Sequence, residues 1–296
     1  MTELKTLRGC GTALVTPFKH DGNIDTHALK KLVERQIDAG IDFLVPCGTT
    51  GESAALSLDE HLLVVETVIQ TADGKVPVIA GAGSNNTKHA IELARECEKV
   101  GADGILVVTP YYNKPTQEGL YQHFKAISDH VNCPIILYNV PSRTSCNLLP
   151  ATVKRLGEID QIIGIKEAAA DMGQVTELCA TIDEEFSILS GDDVSALGLI
   201  AIGGSGLISV ISNEMPKEMT QLVSSALTGD LERARELQYT LNPLMTANFI
   251  EVNPIPVKAA LTMMGLIDEN YRLPLVPMAP ANREKLAAVL KQMHLI

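Results

Sequence analysis

Eight short runs of apolar and β-branched residues recur along the chain, and all of them contain Gly, Pro, Ser, Thr, Asn or Asp near their C-terminal end. They span residues 11–18, 41–50, 76–83, 104–112, 134–143, 161–168, 186–193 and 206–213. Runs that are apolar at successive positions are typical of strands buried on both faces of a parallel sheet. The pattern therefore predicts eight buried strands.

The segments between these runs carry apolar residues at helical spacing. Helix-end signals agree with that spacing, since Ser57 and Glu60 form a capping box and Pro150 suits the first turn of a helix. Three glycines follow predicted helices at positions where a left-handed residue commonly ends a helix. They are Gly40, Gly74 and Gly101.

Alternation of buried strands with helices predicts a parallel sheet covered by helices, the α/β class. Eight units over about 215 residues fit a (β/α)8 TIM barrel better than an open doubly wound sheet. Beyond residue 213 the pattern predicts helices and no further strand. We therefore expect a barrel catalytic domain over residues 1–224 and a C-terminal helical domain over residues 225–296.

Composition narrows the class of protein. The chain has 296 residues, of which 46% are hydrophobic, and its formal net charge is −12. That charge argues against nucleic acid or an anionic membrane surface as the main partner. The first residues lack a signal-peptide pattern, and no apolar run approaches the roughly 20 residues needed to span a bilayer. We expect a cytoplasmic protein without a metal site, whose six scattered cysteines are core thiols.

Lys166 directly follows an apolar run in the stretch QIIGIKEAAAD, residues 161–171. Strand alternation places Ile162, Gly164 and Lys166 on one face, with Ile163 and Ile165 opposite. In a TIM barrel the functional site lies at the C-terminal ends of the strands, where Lys166 would then point into the barrel mouth. The same reasoning brings Tyr138, at the end of the preceding strand, to the same mouth.

A lysine and a tyrosine that converge in this way suggest Schiff-base chemistry. An amine attacks a carbonyl only when it is unprotonated, and an ordinary lysine has a pKa of about 10.4. Burial lowers that pKa, and a neighbouring phenol can carry protons. On spacing alone, a strand-end lysine that reaches solvent remains the commoner explanation.

Two further stretches offer groups that bind carboxylates. The loop CGTTGES, residues 47–53, combines glycines with three hydroxyls, and Arg143 follows the fifth strand in NVPSR. Backbone N–H groups, hydroxyls and a guanidinium can all hold a carboxylate. A tight loop leading into a helix and a solvated arginine are the simpler explanations of the same residues.

Taken in order, seven motifs closely resemble the pyruvate-dependent class I aldolases, the superfamily of dihydrodipicolinate synthases and N-acetylneuraminate lyases. The motifs are GTALVTPF, CGTTGES, TPYYNKP, LYNVPSR, GIKEA, SGDD and GLISVISN, and VNPIPVKAAL extends the match to residues 252–261. The resemblance covers nearly the whole chain. With this resemblance, a catalytic role becomes a better explanation of Lys166 and Tyr138 than a structural one.

The resemblance implies specific roles. Lys166 would form the Schiff base with pyruvate, Tyr138 would act as general acid and base, and Thr49 and Tyr112 would complete a proton relay. The pyruvate carboxylate would be held by Thr50 and by the backbone around Gly191 and Ile208. Tyr112 would come from the adjacent subunit of a homotetramer built as a dimer of dimers. The reaction would need no cofactor.

Arg143 favours the synthase branch of the superfamily, in which an arginine at this position holds the carboxylate of L-aspartate 4-semialdehyde. An N-acetylneuraminate lyase or a 2-keto-3-deoxy sugar acid aldolase is the first alternative, because it shares Lys166 and Tyr138 without needing Arg143. A catalytically inactive barrel that acts as a binding protein is the second.

The resemblance also bears on regulation by lysine. Synthases inhibited by lysine bind it at the dimer interface, and the corresponding positions here are Ser53, Ala54, Leu58, His61, Asn85, His89 and Tyr111. Those enzymes carry histidine at the Leu58 position and glutamate at the His89 position. Loss of the glutamate removes the anion that would pair with the ligand's ammonium, so the sequence predicts weak or absent feedback.

Overall fold

The computed structural model describes residues 4–296, in which eight parallel strands form a single sheet. The strands are β1 (Gly9–Ala13), β2 (Phe43–Val45), β3 (Ile79–Gly81), β4 (Gly104–Val108), β5 (Ile135–Asn139), β6 (Ile162–Glu167), β7 (Ser187–Ser190) and β8 (Gly206–Ser209). Their order around the sheet is β2-β1-β8-β7-β6-β5-β4-β3. A parallel bridge between Leu44 and Val78 joins the two ends. The expected (β/α)8 TIM barrel is confirmed.

Helices cover the outside of the barrel and continue beyond it. The helices are α1 (Thr26–Asp38), α2 (Leu58–Ala72), α3 (Thr87–Lys99), α4 (Gln117–Ser128), α5 (Pro141–Thr144), α6 (Pro150–Leu156), α7 (Met172–Thr181), α8 (Ala196–Ala201), α9 (Pro216–Leu227), α10 (Leu231–Ala247), α11 (Ile255–Met263) and α12 (Pro280–Gln292). The capping box at Ser57 and Glu60 forms as predicted, and Pro150 opens α6. Gly40, Gly74 and Gly101 all have positive φ.

The C-terminal helices form the expected extension. Helix α9 packs against β1 and β8 and against α10, while α10 and α11 both pack against α12. The expected boundary between residues 224 and 225 falls inside α9. The division into two domains stays a prediction.

The barrel interior is filled by a cluster of large side chains, which we call the interior cluster. Its buried members are Leu7, Ala13, Phe43, Val45, Ile79, Leu106, Ile136, Tyr138, Val140, Leu189 and Ile208. A second and larger cluster lies between the strands and the surrounding helices and includes Ile162 and Ile165. Inward and outward side chains therefore alternate along most strands, as expected for a barrel.

Alternation fails at the start of β6. Ile162 was expected on the inward face, but it belongs to the outer cluster, while Ile163 packs against the interior cluster. The cause is an irregular register, because Ile135 pairs with Ile162 whereas the next residue, Ile136, pairs with Gly164. One extra residue in a strand reverses the direction of the side chains before it. From Gly164 onward the predicted alternation holds.

Candidate active site

Lys166 and Tyr138 lie side by side at the C-terminal ends of β6 and β5. They are register partners in the sheet, and the Lys166 Nζ lies 4.4 Å from the centroid of the Tyr138 ring. Both side chains are buried, at 6% and 7% exposure. An ammonium over an aromatic face is stabilised electrostatically, most strongly where water is excluded. The structure therefore brings together the two residues on which the expected chemistry depends.

Gly191 follows β7 and lies against the stem of Lys166. A Cβ placed on Gly191 would sit 3.0 Å from Lys166 Cε, 3.2 Å from Lys166 Cγ and 2.8 Å from the Cβ of Ala168. Carbon atoms pack best at about 3.5–4.0 Å, so a side chain at this position would push directly on the lysine. The predicted neighbour Ile208 belongs to the interior cluster together with Tyr138.

Thr50 is held by a residue from the C-terminal extension. Asn253 Nδ2 donates to Thr50 Oγ1 at 2.9 Å, and both side chains are buried. Six buried side-chain polar atoms have no hydrogen-bond partner among residues 4–296, and Asn253 Oδ1 and Thr109 Oγ1 are two of them. Buried polar atoms are nearly always paired, so these two oxygens can accept a hydrogen bond from a ligand or from water.

A cavity of about 520 Å³ opens beside Asn253, but Lys166, Tyr138 and Thr50 are not among its lining residues. Thr49 and Arg143 line it together with Val108 and Val140, which end or follow β4 and β5. Arg143 is exposed, so its guanidinium can meet a ligand that enters from solvent. Tyr112 is different, because it is 90% exposed, has a φ of +81° and does not line the cavity.

Six of the seven positions named for lysine regulation line the same cavity: Ser53, Ala54, Leu58, His61, His89 and Tyr111. The seventh, Asn85, donates from Nδ2 to the carbonyl of Tyr111 at 3.4 Å. His61 is buried with Nε2 2.8 Å from the carbonyl of Gly81, and burial lowers the pKa of its imidazole. His89 is exposed and faces Glu92, with 3.8 Å between Nδ1 and Oε2.

A buried hydrogen-bond network ties β5 to β6 next to Lys166 and Tyr138. Glu167 follows Lys166, and its two oxygens accept from Asn139 Nδ2 at 3.2 and 3.0 Å and from the backbone N–H of Ala169 at 2.6 Å. Gln174 Nε2 donates to the same carboxylate at 2.9 Å. Burial raises the pKa of Glu167, and these donors oppose the shift. Because Asn139 follows Tyr138, the network links the residues next to Tyr138 and Lys166.

A second buried carboxylate joins the ends of β7 and β8. Asp193 accepts from the Ser209 hydroxyl at 2.5 Å and from the backbone N–H of Val210 at 3.0 Å. Burial raises the pKa of Asp193 to about 6, although these hydrogen bonds lower it. The network fixes the loop after Gly191 against the strand that carries Ile208.

Two classes of site are absent from residues 4–296. No group of three or more His, Cys, Asp or Glu side chains is arranged to hold a metal ion. No helix in the same range is both long enough and apolar enough to cross a membrane.

The sequence did not indicate which residues of the C-terminal extension hold the loop between β2 and α2. This loop carries Thr50, and we call it the Thr50 loop. Asn253, Lys258 and Arg272 lie about 200 residues from the groups they contact. The quoted stretch VNPIPVKAAL contains the first two, but nothing in its composition or spacing indicates which loop they reach. Only the folded chain shows that contact.

Comparisons with known proteins give matches over nearly the whole chain. The model of the dihydrodipicolinate synthetase family matches residues 6–293. A 4-hydroxy-tetrahydrodipicolinate synthase of Koribacter versatilis is 55% identical over 284 residues, which are 96% of this chain and 95% of the relative. One of Thermodesulfovibrio yellowstonii is 53% identical over 289 residues, with 98% and 99% covered. The chloride-inhibited dihydrodipicolinate synthase of Acinetobacter baumannii, solved in complex with pyruvate, matches with a TM-score of 0.97, 46% identity and coverage of 98% and 100%.

Proposed function

The chain belongs to the dihydrodipicolinate synthetase family, and from that premise we propose that it condenses pyruvate with L-aspartate 4-semialdehyde through a Schiff base on Lys166. It is a lyase whose product is 4-hydroxy-tetrahydrodipicolinate, in the pathway to diaminopimelate and lysine. One observation carries the assignment of Lys166: its buried ammonium lies 4.4 Å from the Tyr138 ring at the functional end of the barrel.

The reaction follows from the chemistry of an amine and a keto acid. Lys166 Nζ attacks the keto carbon of pyruvate, water leaves, and an iminium forms. Loss of a methyl proton gives an enamine, whose carbon attacks the aldehyde of the second substrate. The amine of that substrate then displaces Lys166 and closes the ring. The iminium itself accepts the electron pair, so the proposal requires no metal or organic cofactor.

Tyr138 is the proposed general acid and base, because its phenol lies beside the amine that gains and loses protons. Thr49, which lines the adjoining cavity, and Tyr112 complete the proposed proton relay. The 90% exposure of Tyr112 suits a side chain that enters the site of an adjacent subunit. That role requires at least a dimer, and the resemblance to the family leads us to propose a homotetramer built as a dimer of dimers.

Two carboxylate sites complete the proposal. Thr50, Gly191 and Ile208 hold the pyruvate carboxylate, and the position of Gly191 against the Lys166 stem supports this. Arg143 holds the carboxylate of the semialdehyde, because its exposed guanidinium lines the cavity wall. A planar guanidinium binds a carboxylate through two parallel hydrogen bonds.

Weak or absent lysine feedback remains part of the proposal. His89 is exposed and stands where lysine-sensitive enzymes have a glutamate. The cavity therefore offers no carboxylate at that position to pair with the ammonium group of a bound lysine. Titration of the enzyme with lysine tests this, and a sub-millimolar inhibition constant would contradict it. We also propose a cytoplasmic location, where pyruvate is produced; cell fractionation tests that assignment.

The proposed activity is tested with purified protein, pyruvate and L-aspartate 4-semialdehyde, coupled to the reductase that consumes the product. N-acetylneuraminate and a 2-keto-3-deoxy sugar acid serve as alternative substrates, each in a separate parallel reaction. We expect turnover only with the semialdehyde. Faster cleavage of either sugar acid would replace the proposal with a sugar-acid aldolase.

A further inference from the structure

A buried ion pair connects the C-terminal extension to the loop that carries Thr49 and Thr50. Lys258 Nζ in α11 lies 2.5 Å from Glu52 Oε1, and the two side chains are 0% and 1% exposed. Burying two charges is costly, and apolar residues of similar volume often serve stability equally well or better. Stability alone therefore gives little reason for charges at this position.

The surroundings leave each charge few other partners. The Lys258 Nζ lies 4.4 Å from the centroid of the Phe18 ring and 5.1 Å from that of Tyr271. Within residues 4–296, the second oxygen of Glu52 accepts a hydrogen bond only from the backbone N–H of Arg272, at 3.4 Å. Burial lowers the pKa of the Lys258 ammonium, and the Glu52 carboxylate opposes that shift. Removing one partner would leave the other buried without its nearest opposite charge.

Glu52 is also held in an unusual backbone conformation. Its φ of +53° and ψ of +35° lie in the left-handed region, which residues other than glycine seldom occupy. Glu52 lies two residues after Thr50, so its backbone sets the direction in which the Thr50 loop leaves the site. Such strain persists only where the surrounding structure enforces it.

The C-terminal extension forms further hydrogen bonds with the same loop. Asn253 donates to Thr50 Oγ1, and Arg272 Nη1 donates to the carbonyl of Ala55 at 2.9 Å. Arg272 also binds Glu60 in the first turn of α2. The C-terminal extension thus holds the loop between β2 and α2 at Thr50, Glu52 and Ala55, with the Lys258–Glu52 pair between the other two contacts.

We propose that the Lys258–Glu52 ion pair is a positioning device for the pyruvate site: it holds Glu52 in its left-handed conformation and thereby places Thr49 and Thr50. Neither residue touches substrate in this account. The inference rests on the proposed role of Thr50 in binding pyruvate.

The test measures the pyruvate concentration that gives half-maximal borohydride trapping of the full-length enzyme, together with the unfolding midpoint of each variant. Lys258→Met removes one charge and keeps the length of the side chain, and Glu52→Gln keeps the shape of the other. Arg283→Met is the matched control, because it breaks the Arg283–Glu269 ion pair of the same extension without touching the Thr50 loop.

We expect the half-maximal pyruvate concentration to rise at least tenfold in Lys258→Met and in Glu52→Gln, and to stay within twofold of wild type in Arg283→Met. A lower unfolding midpoint with an unchanged pyruvate concentration in both test variants would overturn the inference, because a role in stability alone changes the amount of folded enzyme and not its affinity. If the other variants do not fold, Glu52→Asp replaces them, because it keeps both charges and shortens one side chain. A raised half-maximal pyruvate concentration in this variant would then support the inference, and an unchanged one would overturn it. Absence of trapping in the wild type would instead refute the proposed function.

Discussion

Replacing Gly191 by alanine tests the geometry around Lys166 most sharply. The new methyl would lie 3.0 Å from Lys166 Cε and 2.8 Å from the Cβ of Ala168, whereas carbon atoms pack best at about 3.5–4.0 Å. The backbone at Gly191 has no positive φ, so the strain comes from crowding alone. The lysine stem is the more flexible neighbour and should move.

The size of the effect follows from the cost of overpacking. Forcing one extra methyl group into a packed site costs about 1–3 kcal/mol. If the displaced group is the nucleophile, the same energy is lost from the transition state, which is roughly a 5- to 150-fold fall in kcat/KM for pyruvate. The rate of pyruvate-dependent trapping at Lys166 should fall with it.

Gly198→Ala is the matched control, because its Cβ would meet the Met172 side chain at ordinary contact distances, 3.6 Å from Cε and 4.0 Å from Sδ. Steady-state kinetics and borohydride trapping on all three proteins make the comparison. We expect Gly198→Ala to behave like the wild type. The reasoning is refuted if Gly191→Ala keeps kcat/KM within twofold of wild type, or if both alanines lower it equally.

Three further predictions concern residues around the site. Arg143→Ala should lower turnover of L-aspartate 4-semialdehyde at least about 30-fold, the equivalent of about 2 kcal/mol, yet still form the pyruvate adduct; equal loss of both would contradict its assigned role. Glu167→Gln removes an acceptor from a buried network and should lower the free energy of urea unfolding by about 1–3 kcal/mol, an effect that unchanged unfolding curves would disprove. Arg272 lowers the pKa of Glu60 to about 2. The Glu60 carboxylate therefore stabilises the fold fully above pH 4.5, its ordinary pKa, and loses this effect as the pH falls toward 2. Glu60→Gln should therefore remove about 1–2 kcal/mol of acid-dependent stability, and parallel pH profiles of the two proteins would count against the pairing.

The sequence was most informative where a local rule decides the structure. Strand alternation placed Lys166 and Tyr138 on the inward face of neighbouring strands, and the two are register partners. The same rule gave the wrong direction for Ile162, because it cannot detect an extra residue in a strand. That irregularity is visible only in the pairing with the neighbouring strand.

Contacts between distant segments could not be predicted in this way. Asn253 and Lys258 reach Thr50 and Glu52 because α11 packs over the loop between β2 and α2, and that packing depends on the whole barrel being closed. The exposed position of Tyr112 likewise follows from the path of the loop after β4. Its proposed role in an adjacent subunit stays a prediction.

The central claim is that Lys166 is the nucleophile that binds pyruvate. Borohydride reduction in the presence of pyruvate, followed by peptide mapping with mass spectrometry, tests it directly. We expect the mass of one reduced pyruvate imine on the peptide that contains Lys166, and none when pyruvate is omitted. An adduct on a different lysine, or no adduct at saturating pyruvate, would contradict the account.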